Sequence, residues 1–266
     1  MKYIIAALFV GCFTVLALGI RAGKNTASNG AAQTTGKAPV IVELFTSEGC
    51  SSCPPADTLL KKLEEEQPIG DAEVIALEEH VDYWNQQGWT DPFSSPDATF
   101  RQQQYAATFK GDGPYTPQMI VDGRSEFVGS RERQAREEIE QAARVPRVQI
   151  SLTPKSPTAK GAEQFSVQVA KLTGDSAEVW LAVTERQLHS NVKAGENAGE
   201  SLHHAAVVRS LRKIGDAKAG NEISFTGNAN VKIDSKWKLE NLHVVVFAQE
   251  KKSRHIVGAA AMPLTQ

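Results

Sequence analysis

Along residues 40–143 the spacing of apolar positions switches between the period of a strand and that of a helix. Residues 40–45 are apolar on both faces, Glu43 excepted, and predict a buried strand. Leu59, Leu60 and Leu63 recur at helical spacing between Asp57 and Gln67, and Pro68-Ile69-Gly70 ends that helix. A second short strand is expected at 73–77. Residues 97–109 read as a helix entered through Pro96 and closed by Gly111-Asp112-Gly113-Pro114. Residues 118–121 and 126–128 flank Asp122-Gly123, a tight hairpin signal, and a charged helix follows at 131–144. The order βαβ-α-ββα predicts an α/β domain over 39–145.

Past Pro146 helical spacing nearly disappears. Short alternating runs fall at 148–152, 165–169, 179–183, 222–225, 242–247 and 256–260. Pro154, Pro157, Gly161, Gly174-Asp175, Gly220-Asn221 and Gly258 punctuate them. This density of short strands predicts an all-β antiparallel sandwich domain over 146–266.

The N-terminus fits neither pattern. Lys2 precedes an uncharged apolar stretch at 3–20, and Arg21-Ala22 opens a polar one. Residues 1–22 therefore read as a signal peptide or an N-terminal anchor, and Gly11-Cys12 is a weaker lipoprotein signal. Residues 23–38 hold no large apolar side chain before Pro39 and read as a flexible linker. Either leader sends the chain to the periplasm or the exterior, with membrane contact only through 3–20 if it stays attached. The 266 residues are 41% apolar and 23% charged, enough for real cores. A net charge of −2 with no basic cluster excludes a nucleic-acid partner.

Cys50 and Cys53 carry the chemistry. They follow the first strand in Thr46-Ser47-Glu48-Gly49-Cys50-Ser51-Ser52-Cys53-Pro54-Pro55, at a strand-to-helix turn where a helix N-terminus favours a thiolate. A disulfide across four residues constrains the unfolded chain very little, which favours a redox role over a structural staple. No cofactor beyond that redox-active disulfide, and no resident metal, is expected.

This element order with Cys-x-x-Cys at its first strand–helix junction resembles the thioredoxin fold, so the expected architecture is an α/β thioredoxin-like domain followed by the β-sandwich. The resemblance implies that Pro117, in Tyr115-Thr116-Pro117-Gln118, is cis and lies against the cysteine turn, with Thr116 pairing an extended substrate. Cys50 would be the exposed, attacking thiolate, and Cys53, buried, would resolve the mixed disulfide. Ser51 and Ser52 add no positive charge between them, which implies a moderately oxidising couple. Gly49 stands where such proteins often carry an aromatic residue, and Pro54-Pro55 would loosen a helix that began at Cys50. Glu43 is the candidate buried acid for moving the Cys53 proton, and a solvent-reaching strand-end glutamate is its alternative.

His80 is a supporting candidate, although a lone histidine is more often structural. The aromatic residues at 81–96, Tyr83, Trp84, Trp89 and Phe93, read first as packing and second as a substrate lid. The phrases 43–57, 81–84 with 88–93, and Gly195-Glu196-Asn197-Ala198-Gly199-Glu200-Ser201-Leu202-His203-His204 resemble an exported bacterial family, number 1223 among the domains of unknown function. That family is placed in the thioredoxin-like superfamily and implies a redox role without a substrate. The 195–202 segment reads as a domain-docking loop, and His203-His204 lack partners at metal-ligand spacing.

Function therefore reads first as a thiol–disulfide oxidoreductase acting on protein or small-molecule thiols, with an envelope redox partner. A Cu(I) carrier using both cysteines and His80 is the second reading, and a non-enzymatic binding module the third.

Overall fold

The computed structural model describes residues 36–111, 113–159 and 162–264; the expected leader and most of the linker lie outside the described residues. The first half follows the predicted order: β1 (Ala38–Thr46), α1 (Pro54–Glu66), β2 (Ala72–His80), α2 (Pro96–Phe109), β3 (Gln118–Val121), β4 (Ser125–Val128) and α3 (Glu132–Ala143). Among its described residues the second half holds seven strands and one short 3-10 turn: β5 (Ile150–Ala159), β6 (Ala162–Ala170), β7 (Ala177–Asn191), β8 (Ser201–Ala217), β9 (Ile223–Lys232), β10 (Leu242–Glu250) and β11 (Ile256–Pro263).

The expected α/β thioredoxin-like domain followed by an all-β sandwich is not what the chain builds. One mixed sheet of eight strands, ordered β11-β10-β7-β8-β2-β1-β3-β4, runs through both halves, and only β5-β6-β9 forms a separate three-stranded sheet. The element responsible is β8, seventeen residues long where the sequence predicts no strand. It pairs along the length of β7 and then joins β2 in parallel at a single register pair, Glu78 with Val207. With the sheet continuous there, the second half extends the first instead of folding apart from it.

Side-chain alternation on β1 sorts the layers. Val40, Val42 and Leu44 face Leu59, Leu60 and Leu63 of α1 and Ile139 of α3. Ile41 joins Ile75, Leu77, Val245, Phe247 and Ile256 in a second core, and Phe45 packs with Tyr105 of α2. The large sheet curls enough to bring β11 back toward β1: the Ile256 amide donates to the Asp122 carbonyl, and the Asp122 amide to that of Ile41. A third core lies between the three-stranded sheet and β7 and β10. Turn chemistry is local: Asp122-Gly123 makes the β3–β4 turn with positive φ at both residues.

Candidate functional site

The β1–α1 junction forms as a tight turn, with the Cys53 amide donating to the Cys50 carbonyl at 3.1 Å. Helix α1 starts at Pro54, with Cys53 as its N-cap, so Pro54 and Pro55 occupy first-turn positions that need no amide hydrogen. The expected loosening of a helix begun at Cys50 does not arise. Cys50 and Cys53 are joined as a disulfide, their Cα atoms 5.4 Å apart.

The expected exposure of Cys50 is corrected by the structure: Cys50 and Cys53 are both 0% exposed. Two segments pack on the turn. Trp84 lies against Gly49, its Cβ only 3.1 Å from where a side chain there would begin, and its indole donates to Thr116 at 2.9 Å. From the other side comes the loop between β7 and β8. Asn197 donates to the carbonyls of Glu48 (2.8 Å) and Cys50 (3.0 Å), and Glu196 accepts from the Ser51 amide at 3.1 Å. Ser51 and Ser52 remain exposed, and the Ser52 hydroxyl stands 3.3 Å from the Cys50 sulphur.

The Thr116–Pro117 bond is cis. Pro117, Ala56 and Leu44 all crowd the point where a side chain on Gly129 would begin, at 3.3, 3.1 and 2.7 Å, so Pro117 sits beside the first turn of α1.

Glu43 takes no part in this turn. Strand alternation puts it on the face covered by α2, where it accepts from Arg101 Nε and the Tyr105 hydroxyl, each at 2.5 Å. Asp57 is the buried acid on the α1 face, one helical turn past Cys53, and accepts from Thr46 at 2.6 Å. Burial, reinforced by the charge of Glu78, pushes its pKa up to about 7.

Beneath the turn lies a buried cluster. His204 Nδ1 is 2.7 Å from Glu78 Oε1, and its Nε2 is 3.0 Å from Glu48 Oε1. His80 Nδ1 is 2.7 Å from Asp91 Oδ2, and its Nε2 faces Glu78 Oε1 at 3.3 Å. Glu78 Oε2 accepts from the Ala205 amide at 2.6 Å, which ties β8 to β2 where their ladder is shortest. Trp89 donates to Glu48 at 2.7 Å, and Phe93 stands edge-on to both imidazoles. Burial works against charge on His80, yet Asp91 and Glu78 hold its pKa well above the usual value. The same opposition leaves His204 at about 9, through Glu78 and Glu48. Burial raises Glu78, but His204 and His80 outweigh it and hold the carboxyl down at about 2.

His80 thus belongs to the carboxylate cluster and makes its contacts with Asp91 and Glu78. Glu48, Asp57, Glu78, Asp91 and Asn197 went unrecognised in the sequence. Polar side chains in otherwise apolar or tightly turning stretches are their one local signal. His204 found the partners that sequence spacing could not offer, because they come from β2 and from the β1–α1 turn.

The family described as "Protein of unknown function (DUF1223)" matches residues 41–249. A crystal structure of an Agrobacterium tumefaciens protein from structural genomics is similar at 27% identity, covering 86% of this chain and 96% of its own, with a TM-score of 0.64. A domain of the outer membrane lipoprotein Omp28 from Porphyromonas gingivalis overlaps 46% of this chain and 90% of its own at 12% identity, with a TM-score of 0.28. No functionally curated protein matches the chain.

Proposed function

We propose that this chain, which belongs to the family of unknown function 1223, is a thiol–disulfide oxidoreductase whose Cys50–Cys53 couple works behind a gate. The observation that carries the reading is the disulfide itself. It closes four residues at a strand–helix junction, where it adds little to stability, and it has a buried acid one turn away. The gate is the 192–200 loop, held on the turn chiefly by the two Asn197 hydrogen bonds.

With the loop lifted, a substrate thiolate attacks the Cys50 sulphur and breaks the disulfide. Cys53 leaves as a thiolate and takes a proton, for which Asp57 is the placed donor. A second substrate thiolate then displaces Cys50, leaving substrate disulfide and protein dithiol. Run backwards, the same steps reduce a substrate. An oxidised pair suits an extracytosolic compartment, to which the apolar leader at 3–20 would deliver the chain. Substrates on this reading are protein or small-molecule thiols, with an envelope partner resetting the couple.

The test is dithiothreitol-driven insulin reduction with the full chain, beside a Cys53→Ser variant used to trap mixed disulfides. Activity lost in Cys50→Ser, with covalent partners on Cys53→Ser, is the expected result. A disulfide that stays intact in excess dithiothreitol until the chain is denatured ends this reading.

A further inference from the structure

We propose that Glu78, His80 and His204 form a binding site for a divalent first-row transition ion, zinc first among them. The donor atoms are Glu78 Oε1, His80 Nε2 and His204 Nδ1. One donor atom from each residue lies within 4.8 Å of the others. Two ligands on one tetrahedral zinc stand about 3.4 Å apart, so side-chain shifts of about 1 Å close the set. Two imidazoles and a carboxylate are a zinc donor set that leaves one position open.

Three further observations point the same way. First, each imidazole is anchored through its other nitrogen by a carboxylate, His80 by Asp91 and His204 by Glu48. That outer carboxylate–histidine arrangement fixes ring orientation at metal sites and aims the inner nitrogens at one point. Second, His80 Nε2 is fully buried and makes no hydrogen bond, although it is directed at Glu78. Third, Glu48, Glu78 and Asp91 are buried around the two histidines, and among the described residues none of the three pairs with a lysine or arginine. A divalent cation bound in place of imidazole protons meets the same carboxylates.

There is also a way in. A cavity of about 630 Å³ opens between α2 and β8, with His80 and Phe93 in its wall. Phe93 stands edge-on to both imidazoles and lines the same space. The competing account is a closed ion network in which both histidines carry protons and no metal enters.

The experiment uses the full chain with its disulfide intact, so that neither sulphur is a donor, after stripping with a chelator. Zinc is titrated against a chromophoric competitor, thermal unfolding is followed with and without zinc, and cobalt(II) replaces zinc for visible spectroscopy. One ion per chain, a raised thermal midpoint and cobalt bands without sulphur charge transfer are expected. His80→Gln and His204→Gln lose stoichiometric binding, and Asp91→Asn weakens it ~10–100-fold. A wild-type chain that retains no zinc and shows no thermal shift overturns the proposal. So does undiminished binding in either folded glutamine variant, with folding checked by circular dichroism. If neither variant folds, the wild-type zinc and cobalt results still decide.

Discussion

Replacing Asn197 with alanine separates a gated disulfide from an inert one. The Asn197 side-chain amide is buried and donates to the carbonyls of Glu48 and Cys50 at 2.8 and 3.0 Å. A neutral hydrogen bond contributes about 0.5–1.5 kcal/mol, so the pair holds the loop down by about 1–3 kcal/mol. Removal penalises the closed state most, because two carbonyls are then left bare under the loop, whereas water satisfies them once it lifts. If reduction proceeds through the lifted loop, the rate rises in proportion to the open fraction. At about 1.4 kcal/mol per decade that is roughly a 5- to 150-fold acceleration. The assay is alkylation and mass spectrometry of the full chain during dithiothreitol reduction without denaturant, with global stability measured separately in urea. Glu196→Gln, which keeps an exposed acceptor for the Ser51 amide, serves as the control and should change the rate by less than about twofold. An unchanged rate in Asn197→Ala refutes the gate, as does a rate that follows global unfolding in every variant.

Three further outcomes test the packing and electrostatics. Glu43→Gln should leave disulfide exchange intact and lower stability by only about 1–2 kcal/mol. Glu79, whose carboxyl is held well above its usual pKa by burial and by the neighbouring Glu43, can ionise and take over Arg101; the Glu43→Gln/Glu79→Gln pair should instead cost about 3–5 kcal/mol in urea melts. Gly129→Ala forces a methyl into Leu44, Ala56 and Pro117, and a loss of about 1–3 kcal/mol with faster reduction is expected; an unchanged melting temperature would refute the close packing. His243 has its pKa lowered to about 4 by burial, with the charge of Arg186 adding to it, so the unfolded chain takes the proton first as pH falls. Stability from this residue is therefore lost between pH about 6.5 and about 4, and His243→Gln should flatten that limb by about 1–2 kcal/mol after solvent screening, read from urea midpoints across that range.

Much of the site was legible because its signals are local. The cysteine spacing, the apolar strand before it and the helix after it sit within a few turns of chain, as do Pro117 and the Asp122-Gly123 turn. The role first given to Glu43 shows where such reading stops. Its distance along the chain from Cys50 is short, but alternation on β1 turns it toward α2, while Asp57 on α1 takes the side facing Thr46.

By itself the sequence settled the identity and order of nearly every element in the first half, since hydrophobic period reports each segment's own buried face. It missed β8 because residues 201–217 mix histidines, arginines and lysines with short apolar runs, and bulges opposite Val179 and Val183 break the alternation. Tertiary structure alone decided that β8 joins β2, that Glu48, Glu78, His80 and His204 converge, and that a loop nearly 150 residues away buries the disulfide. Pairing between strands so distant depends on which edges are left unpaired and which carboxylates need partners once the sheet has formed. No window of neighbouring residues carries that information.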